Sequence, residues 1–428
     1  MSSTPKTLEQ IAAELQGYDP QALSADRVND FLARLVEPTT EAETVGIFDA
    51  LGRVLADDVV SPISVPPHDN SAMDGFALRG SELTDRPLTL RNQGTAYAGK
   101  AWAGAVGPGE CVKIMTGAIM PAGLDTVVPI EFVKVDGDTV TLPPGVVKPG
   151  DNRRLLGEDL MAGQPALRRG QTLGPAALGL LASLGLATVR VVRRARVAYF
   201  STGDEILSLG EPPREGAVYD SNRYTVFGLL TRMGVEVIDL GVVKDEPALL
   251  EAAFRDAAAR ADAIITSGGV SMGEADHTKA MMKQLGDVAF WRIAMRPGRP
   301  MAVGRLNQAG RSAVLFGLPG NPVAVMVTFL AFVRPALQRL MGAEVQAPVL
   351  LQAKSGEAMR KKPGRTEYQR GTVVREADGS LVARTTGNQG SGVLSSMVQA
   401  NGLIVLRHDQ GNVAVGDTVE VMLFDGVI

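Results

Sequence analysis

The stretch Thr266-Ser-Gly-Gly-Val-Ser-Met-Gly-Glu-Ala-Asp-His-Thr-Lys279 joins a short apolar run, Ala263–Thr266, to a helical pattern over Thr278–Leu285. A buried strand that turns through glycines into a helix is the repeating unit of a parallel α/β sheet. The same glycines let backbone N–H groups approach an anion. Glu274 and Asp276 set carboxylate oxygens beside the turn. The spacings GxxxxGK[ST] and GxGxxG are both absent, so the turn is neither a Walker loop nor a dinucleotide fingerprint. A solvated strand-to-helix connection is the structural alternative.

Outward from this turn the alternation continues. Strands are predicted at Val197–Ser201, Val235–Val243, Val288–Ile293, Met301–Val303 and Ala313–Phe316. Helices are predicted at Asn222–Met233, at Pro247–Arg260 behind Asp245 or Glu246, and at Pro322–Met341 with a kink at Pro335. This alternation implies a mostly parallel sheet with right-handed crossovers and helices on both faces, and such sheets bind ligands at the carboxyl ends of their strands. Three of those ends carry carboxylates: Glu205 in Ser201-Thr-Gly-Asp-Glu205, Asp245 in Lys244-Asp-Glu-Pro247, and Asp276. Facing one crevice, they would repel unless a cation neutralised them. For Asp245 a plain helix N-cap is an equal alternative.

Met295-Arg-Pro-Gly-Arg-Pro-Met301 supplies the opposite charge. Two guanidiniums on a proline-stiffened loop suit a doubly charged oxyanion, with a solvated surface turn as the competing reading. Leu318-Pro-Gly-Asn-Pro322 precedes the last helix, where Asn321 can cap and Pro322 fits the first helical position, so structural and ligand-binding roles are balanced.

The flanks read differently. Thr7 with Gln10 forms a capping box ahead of Leu8, Ile11, Ala12 and Leu15, and Ser24 caps a second amphipathic helix bearing Val28, Phe31, Leu32 and Leu35. From Ser61 to Gly150, and again beyond Gly342, short β-rich runs separated by glycine and proline turns predict a β-rich domain and a small C-terminal β-barrel. Composition narrows the chemistry. The 428 residues carry 43 Lys+Arg against 47 Asp+Glu, a formal charge of −4, which is too balanced for nucleic acid or an anionic membrane as general partner. One cysteine and three scattered histidines leave no tetrahedral zinc site, so any metal should take carboxylate ligands and be magnesium or manganese. The charged N-terminus carries no secretory signal pattern, the apolar run Val323–Val333 is shorter than the ~20 residues of a membrane span, and the lone thiol fits a reducing cytosol.

Eight motifs, in order, resemble the molybdopterin molybdenumtransferase family of the MoeA type, which includes the E domain of gephyrin and its plant counterpart. They are DNSAMDG (69–75), MTGA (115–118), STGDE (201–205), SGGVSxGExD (267–276), PGRP (297–300), GLPGNP (317–322), QRG (369–371) and TTGxQGS (385–391). The resemblance implies insertion of molybdate into adenylated molybdopterin with Mg²⁺-dependent hydrolysis and release of AMP, the last step of molybdenum cofactor synthesis. It implies a multidomain α/β fold: a segmented helical linker domain (22–60 and 159–190), a β-rich domain (61–158), a molybdopterin-binding α/β domain with a mostly parallel sheet (191–342) and a C-terminal β-barrel (343–428).

By the same resemblance, Asp74, Thr116, Glu205, Asp245 and Asp276 are catalytic, the last three also holding Mg²⁺. Thr202, Gly268, Gly269, Ser271, Pro319, Gly320, Asn321 and Pro322 bind the pterin substrate, and Arg296, Arg299, Arg370 and Ser391 bind molybdate. A cytoplasmic homodimer with sites between subunits is implied, served by a molybdopterin adenylyltransferase and by proteins that mature molybdoenzymes. Arg296 and Arg299 stand where lysine is common in the family, Ala324 where serine is frequent and Asn388 where histidine is frequent. A silent scaffolding protein, or a magnesium enzyme acting on another nucleotide-linked anion, are the other readings.

Overall fold

The computed structural model describes residues 6–270 and 277–425. At its centre lies a six-stranded sheet: β1 (Arg196–Thr202), β2 (Glu236–Val243), β3 (Ala263–Ser267), β4 (Gly286–Arg292), β5 (Pro300–Gln308) and β6 (Arg311–Leu318), in the order β2-β1-β3-β6-β5-β4. The first four strands of that order run parallel, and β6-β5 and β5-β4 pair antiparallel. The sheet is therefore parallel at the end where the glycine turn lies and closes with a meander.

The period of two along β1 sorts its side chains between two cores. Val197 and Tyr199 face one that includes helix Ser221–Arg232 and the chain from Pro322 to Leu340. Ala198 and Phe200 face another built on Leu250 and Phe254 of helix Pro247–Arg260, with the two phenylalanine rings edge to face at 5.0 Å. Burying both faces in this way explains why the strands read as continuous apolar runs.

The last long helix differs from its expected form. It runs Pro322–Thr328, passes through a π-helical segment Phe329–Val333, and continues Arg334–Leu340. Pro335 has no N–H and its ring crowds the carbonyl four residues earlier, and the wider π register immediately before it accommodates both defects. At 19 residues and a mean hydropathy of 1.5 this stretch is long and apolar enough to cross a membrane, beyond the shorter run expected, but 67% of its apolar window is buried within the protein. It is the core helix of the first of the two cores.

The N-terminal helices Leu8–Glu14 and Ala25–Leu35 form with the expected caps, Thr7 with Gln10 as a capping box and Ser24 accepting from Arg27 N–H. Both pack on the central sheet. Phe31 meets Trp291 edge-on at 4.9 Å, Trp291 Nε1 donates to Tyr18 Oη at 2.9 Å, and Leu8 N–H donates to Asp287 Oδ2 at 2.9 Å. A separate small core joins Ala50 and Leu55 to Leu167, Ala177, Leu181 and Val191, so strand Ala42–Gly46 pairs with Thr188–Val192 far along the chain. Between those segments lies a six-stranded β sheet from Gly75 to Leu142. At the other end, strands Leu351–Ser355, Thr366–Arg375, Leu381–Thr385, Gly402–Leu406 and Thr418–Leu423 close into a barrel through the pairing of Thr366–Arg375 with Gly402–Leu406. The two-residue strand Met295–Arg296 adds to the barrel strand Thr366–Arg375, which fastens the arginine loop of the α/β domain to the barrel.

Candidate active site

The carboxyl ends of β1, β3 and β6 open on a cleft of about 660 Å³. Its floor is glycine by necessity. Gly268 has φ +91° and a Cβ there would run into the Thr202 carbonyl oxygen; Gly269 has φ +65° and a Cβ would meet the Thr278 side chain. The Gly268 N–H is committed to the Leu318 carbonyl at 3.2 Å. What Gly268 gives the cleft is space, and Gly269, which lines it as well, has a backbone N–H with no partner among the described residues.

Beneath the floor a buried polar network fixes the strand ends. Tyr199 Oη lies 2.8 Å from Ser201 Oγ and 2.7 Å from Ser267 Oγ, and Asn222 Nδ2 donates to the Gly320 carbonyl at 2.7 Å. Burial pushes the Tyr199 phenol well above its usual pKa, so it acts here as a neutral hydrogen-bonding group. The network ties Gly320, in the turn before the last helix, to the ends of β1 and β3.

One wall is acidic. Glu205, Asp204 and Asp245 all line the cleft. Asp245 does not cap its helix: the N-cap position is Glu246, without a side-chain bond, and Asp245 Oδ1 instead accepts from Thr278 Oγ1 at 3.2 Å. Asp276 and Ser271 lie outside the described residues. Among the described residues no three His, Cys, Asp or Glu side chains gather closely enough to hold a metal ion.

The opposite wall is basic. Arg296 and Arg299 line the cleft from the loop that leads into β5, with a cis peptide bond between Arg296 and Pro297. Both side chains are exposed, and neither has a hydrogen-bond or ion-pair partner among the described residues. Pro319, Gly320, Asn321 and Ala324 complete this side; Pro322 opens the helix behind them, and Asn321, although at the N-cap position, makes no side-chain cap bond and is left facing the cleft. Ser391 closes the rim from the barrel, its carbonyl accepting from Val323 N–H at 3.1 Å.

Arg370 and the pair Asp74–Thr116 are placed elsewhere. Arg370 is 1% exposed and lines a neighbouring cavity of about 250 Å³ that Arg296, Pro297 and Gln389 share with the main cleft. Its Nε donates to Ser396 Oγ at 3.0 Å and its Nη2 to the carbonyls of Gly390 and Asn388 at 2.9 and 3.2 Å, which holds the loop carrying Gln389 and Ser391. Burial, and secondarily the charge of Arg296, pull its pKa down to about 10. Asp74 and Thr116 sit exposed in turns flanking strands Gly75–Leu78 and Glu110–Ile114 of the β-rich sheet, outside the cleft lining. There Asp74 Oδ1 accepts from both the Thr116 N–H and Oγ1 at 2.7 Å, and these two bonds, the backbone one first, hold the carboxyl below its usual range.

The cleft also contains Asp204, Thr278 and Gln389, which were not singled out from sequence although each lies within a quoted motif stretch. Gln389 is fixed by exchanging bonds with the Arg370 main chain, its Oε1 accepting from N–H at 2.8 Å and its Nε2 donating to the carbonyl at 3.1 Å.

Backbone and carboxylate groups at parallel strand ends, set against guanidiniums with no partner among the described residues, make this an α/β protein with a cleft of the kind that suits a charged small molecule. Residues 23–185 match the MoeA N-terminal region (domain I and II), residues 198–339 the probable molybdopterin binding domain, and residues 352–424 the MoeA C-terminal region (domain IV). The chain is 40% identical over 407 residues to the molybdopterin molybdenumtransferase of Haemophilus influenzae, covering 95% of this chain and 100% of the relative. It is 34% identical to that of Bacillus subtilis, covering 90% of each. It superposes on the crystal structure of a molybdopterin biosynthesis moeA protein from Pyrococcus horikoshii with a TM-score of 0.81 at 27% identity, over 94% of this chain and 100% of that one. The chain belongs to the molybdopterin molybdenumtransferase family.

Proposed function

We propose that this chain is the molybdenumtransferase that inserts molybdenum into molybdopterin during molybdenum cofactor synthesis, and that the cleft at the ends of β1, β3 and β6 is where it does so. The observation that carries this reading is convergence. Five separate stretches, Thr202–Glu205, Gly268–Val270, Arg296–Pro300, Pro319–Asn321 and Gln389 with Ser391, meet around one cavity although they span nearly two hundred positions of sequence.

The finer chemistry belongs to the same proposal. An adenylated molybdopterin carries a pyrophosphate, which the Gly269 N–H and the glycine floor can approach closely. Molybdate is a compact dianion suited to Arg296 and Arg299, with Ser391 donating from the barrel side, and Arg370 holding the Ser391 loop in place. Mg²⁺ usually takes one or two protein carboxylates together with substrate phosphates and water, and Glu205 and Asp245 fit that donor set, with Asp276 proposed as a third ligand. When bound, the ion would neutralise charge on the phosphates and so favour AMP as a leaving group. Asp245 is held by the Thr278 hydroxyl with its second oxygen left to the cleft. Asp74 and Thr116 are assigned to the cleft of a partner subunit, since in their own chain they lie outside it. A cytosolic homodimer, receiving its substrate from an adenylyltransferase and passing its product to maturation proteins, completes the proposal.

The test is direct. Purified chain with Mg²⁺, molybdate and adenylated molybdopterin should yield active cofactor and one AMP per turnover; tight binding of the adenylate with no AMP release would instead make this a binding or scaffolding protein.

A further inference from the structure

A further cavity, of about 230 Å³, lies behind the arginine wall. Val270, Arg299 and Pro300 belong to both cavities, and Arg299 is the charged residue they share. Three cationic residues line the small cavity, Lys279, Arg292 and Arg299, and no carboxylate does so among the described residues. The Arg292 side chain, half-buried, has no hydrogen-bond or ion-pair partner among the described residues, and the same is true of Arg299. A further positive charge stands close: Lys279 Nζ and Lys283 Nζ lie over the Phe290 ring at 4.9 and 5.5 Å from its centroid. Phe290 and the buried Trp291 form an apolar wall, which lowers the local dielectric and strengthens any charge interaction inside. Gln21, from the connection between the two N-terminal helices, supplies a neutral polar group on the other side.

Guanidiniums that no described residue neutralises, in a concave and partly apolar site, call for an anion. A cavity of this volume has room for a compact tetrahedral oxyanion with part of its hydration shell. We propose that this cavity is an oxyanion subsite, separate from the catalytic cleft and sharing Arg299 with it, that takes molybdate or free phosphate. Because one guanidinium serves both sides, an anion held there stands one side-chain movement from the cleft.

Equilibrium dialysis of the full chain without pterin, against molybdate alone and against inorganic phosphate alone, tests this independently of turnover. The expected result is an anion equivalent that Arg296→Gln leaves in place and Arg292→Gln weakens roughly tenfold or more, the usual effect of losing a charged hydrogen bond. Gln21→Glu, which keeps every cation and adds a repelling carboxylate, should weaken it likewise. Retention of molybdate against an equal concentration of phosphate would mark a store for the metal substrate, and displacement would mark a phosphate site. Binding that is unchanged in both Arg292→Gln and Gln21→Glu overturns the proposal, whether or not the chain proves to be a transferase.

Discussion

The two walls of the cleft are built on opposite terms. On the acidic side two of the three carboxylates are already engaged by the protein: Asp245 accepts from Thr278, and Asp204 accepts from the Asp245 N–H at 3.4 Å and, through its carbonyl, from Arg214, while the exposed Glu205 side chain has no partner among the described residues. On the basic side Arg296 and Arg299 have no such partners among the described residues. The acidic groups are carried by regular strand ends over a hydrogen-bonded floor. The guanidiniums sit on a loop fastened to the barrel by the short strand Met295–Arg296. The protein thus fixes Asp204 and Asp245 in advance and leaves Arg296 and Arg299 without a partner among the described residues, so changes on the two sides should be felt differently: in anion affinity on one, in cation dependence on the other.

The largest effect should come from the one basic residue that breaks this pattern. Arg370 is buried, and its Nε and Nη2 are held by three protein acceptors. Arg370→Ala leaves two carbonyls and a hydroxyl without their donor and opens a void, and should lower stability by about 2–4 kcal/mol in chemical denaturation; a loss below about 0.5 kcal/mol would show that the barrel loop does not depend on it. Arg299→Ala, by contrast, removes an exposed side chain with no described partner. It should leave stability nearly unchanged and raise the molybdate concentration for half-maximal transfer by about 10- to 100-fold, the scale of one charged hydrogen bond. An unaltered molybdate dependence would break the comparison at its basic side. On the acidic side, Asp245→Asn keeps an oxygen to accept from Thr278 but loses the charge. The expected result is a rise of roughly tenfold in the Mg²⁺ needed for half-maximal activity, with no change in the molybdate dependence.

Much of this arrangement was legible in the sequence, and the exceptions share a cause. The alternation from Val197 to Phe316 and the caps at Thr7 and Ser24 are local, so the strands, helices and parallel sheet end follow from period and propensity. The glycines at 268 and 269 announced a tight turn for the same reason. Burial and long-range pairing are not local. Nothing in Gln-Arg-Gly at 369–371 distinguishes an arginine facing a ligand from one clamped between Asn388, Gly390 and Ser396, because the partners come from a loop some twenty residues away. The capping alternatives at Asp245 and Asn321 were likewise not decidable from sequence: the helix after Asp245 starts one residue later, with Glu246 at its N-cap position, and Asn321 occupies the N-cap position without a side-chain cap bond. Pro335 signalled a defect in its helix but not that a π-helical segment would absorb it.

The smallest effect concerns the exposed pair flanking the β-rich sheet, which isolates a single hydrogen bond. Asp74 receives two donors from one residue, and Thr116→Val removes only the hydroxyl while keeping the backbone N–H. Because the native carboxyl is held below its usual value, its favourable contribution is present above the unfolded pKa of about 3.9 and disappears as pH falls through the folded one. Loss of the hydroxyl should move the folded pKa part of the way back up, so that contribution should be smaller in the variant and its loss complete at a higher pH. Titration of the Asp74 carboxyl carbon by NMR reads this directly. A pKa that stays where it was would mean that the backbone bond alone holds the carboxylate, and that the Thr116 hydroxyl is available to a ligand instead.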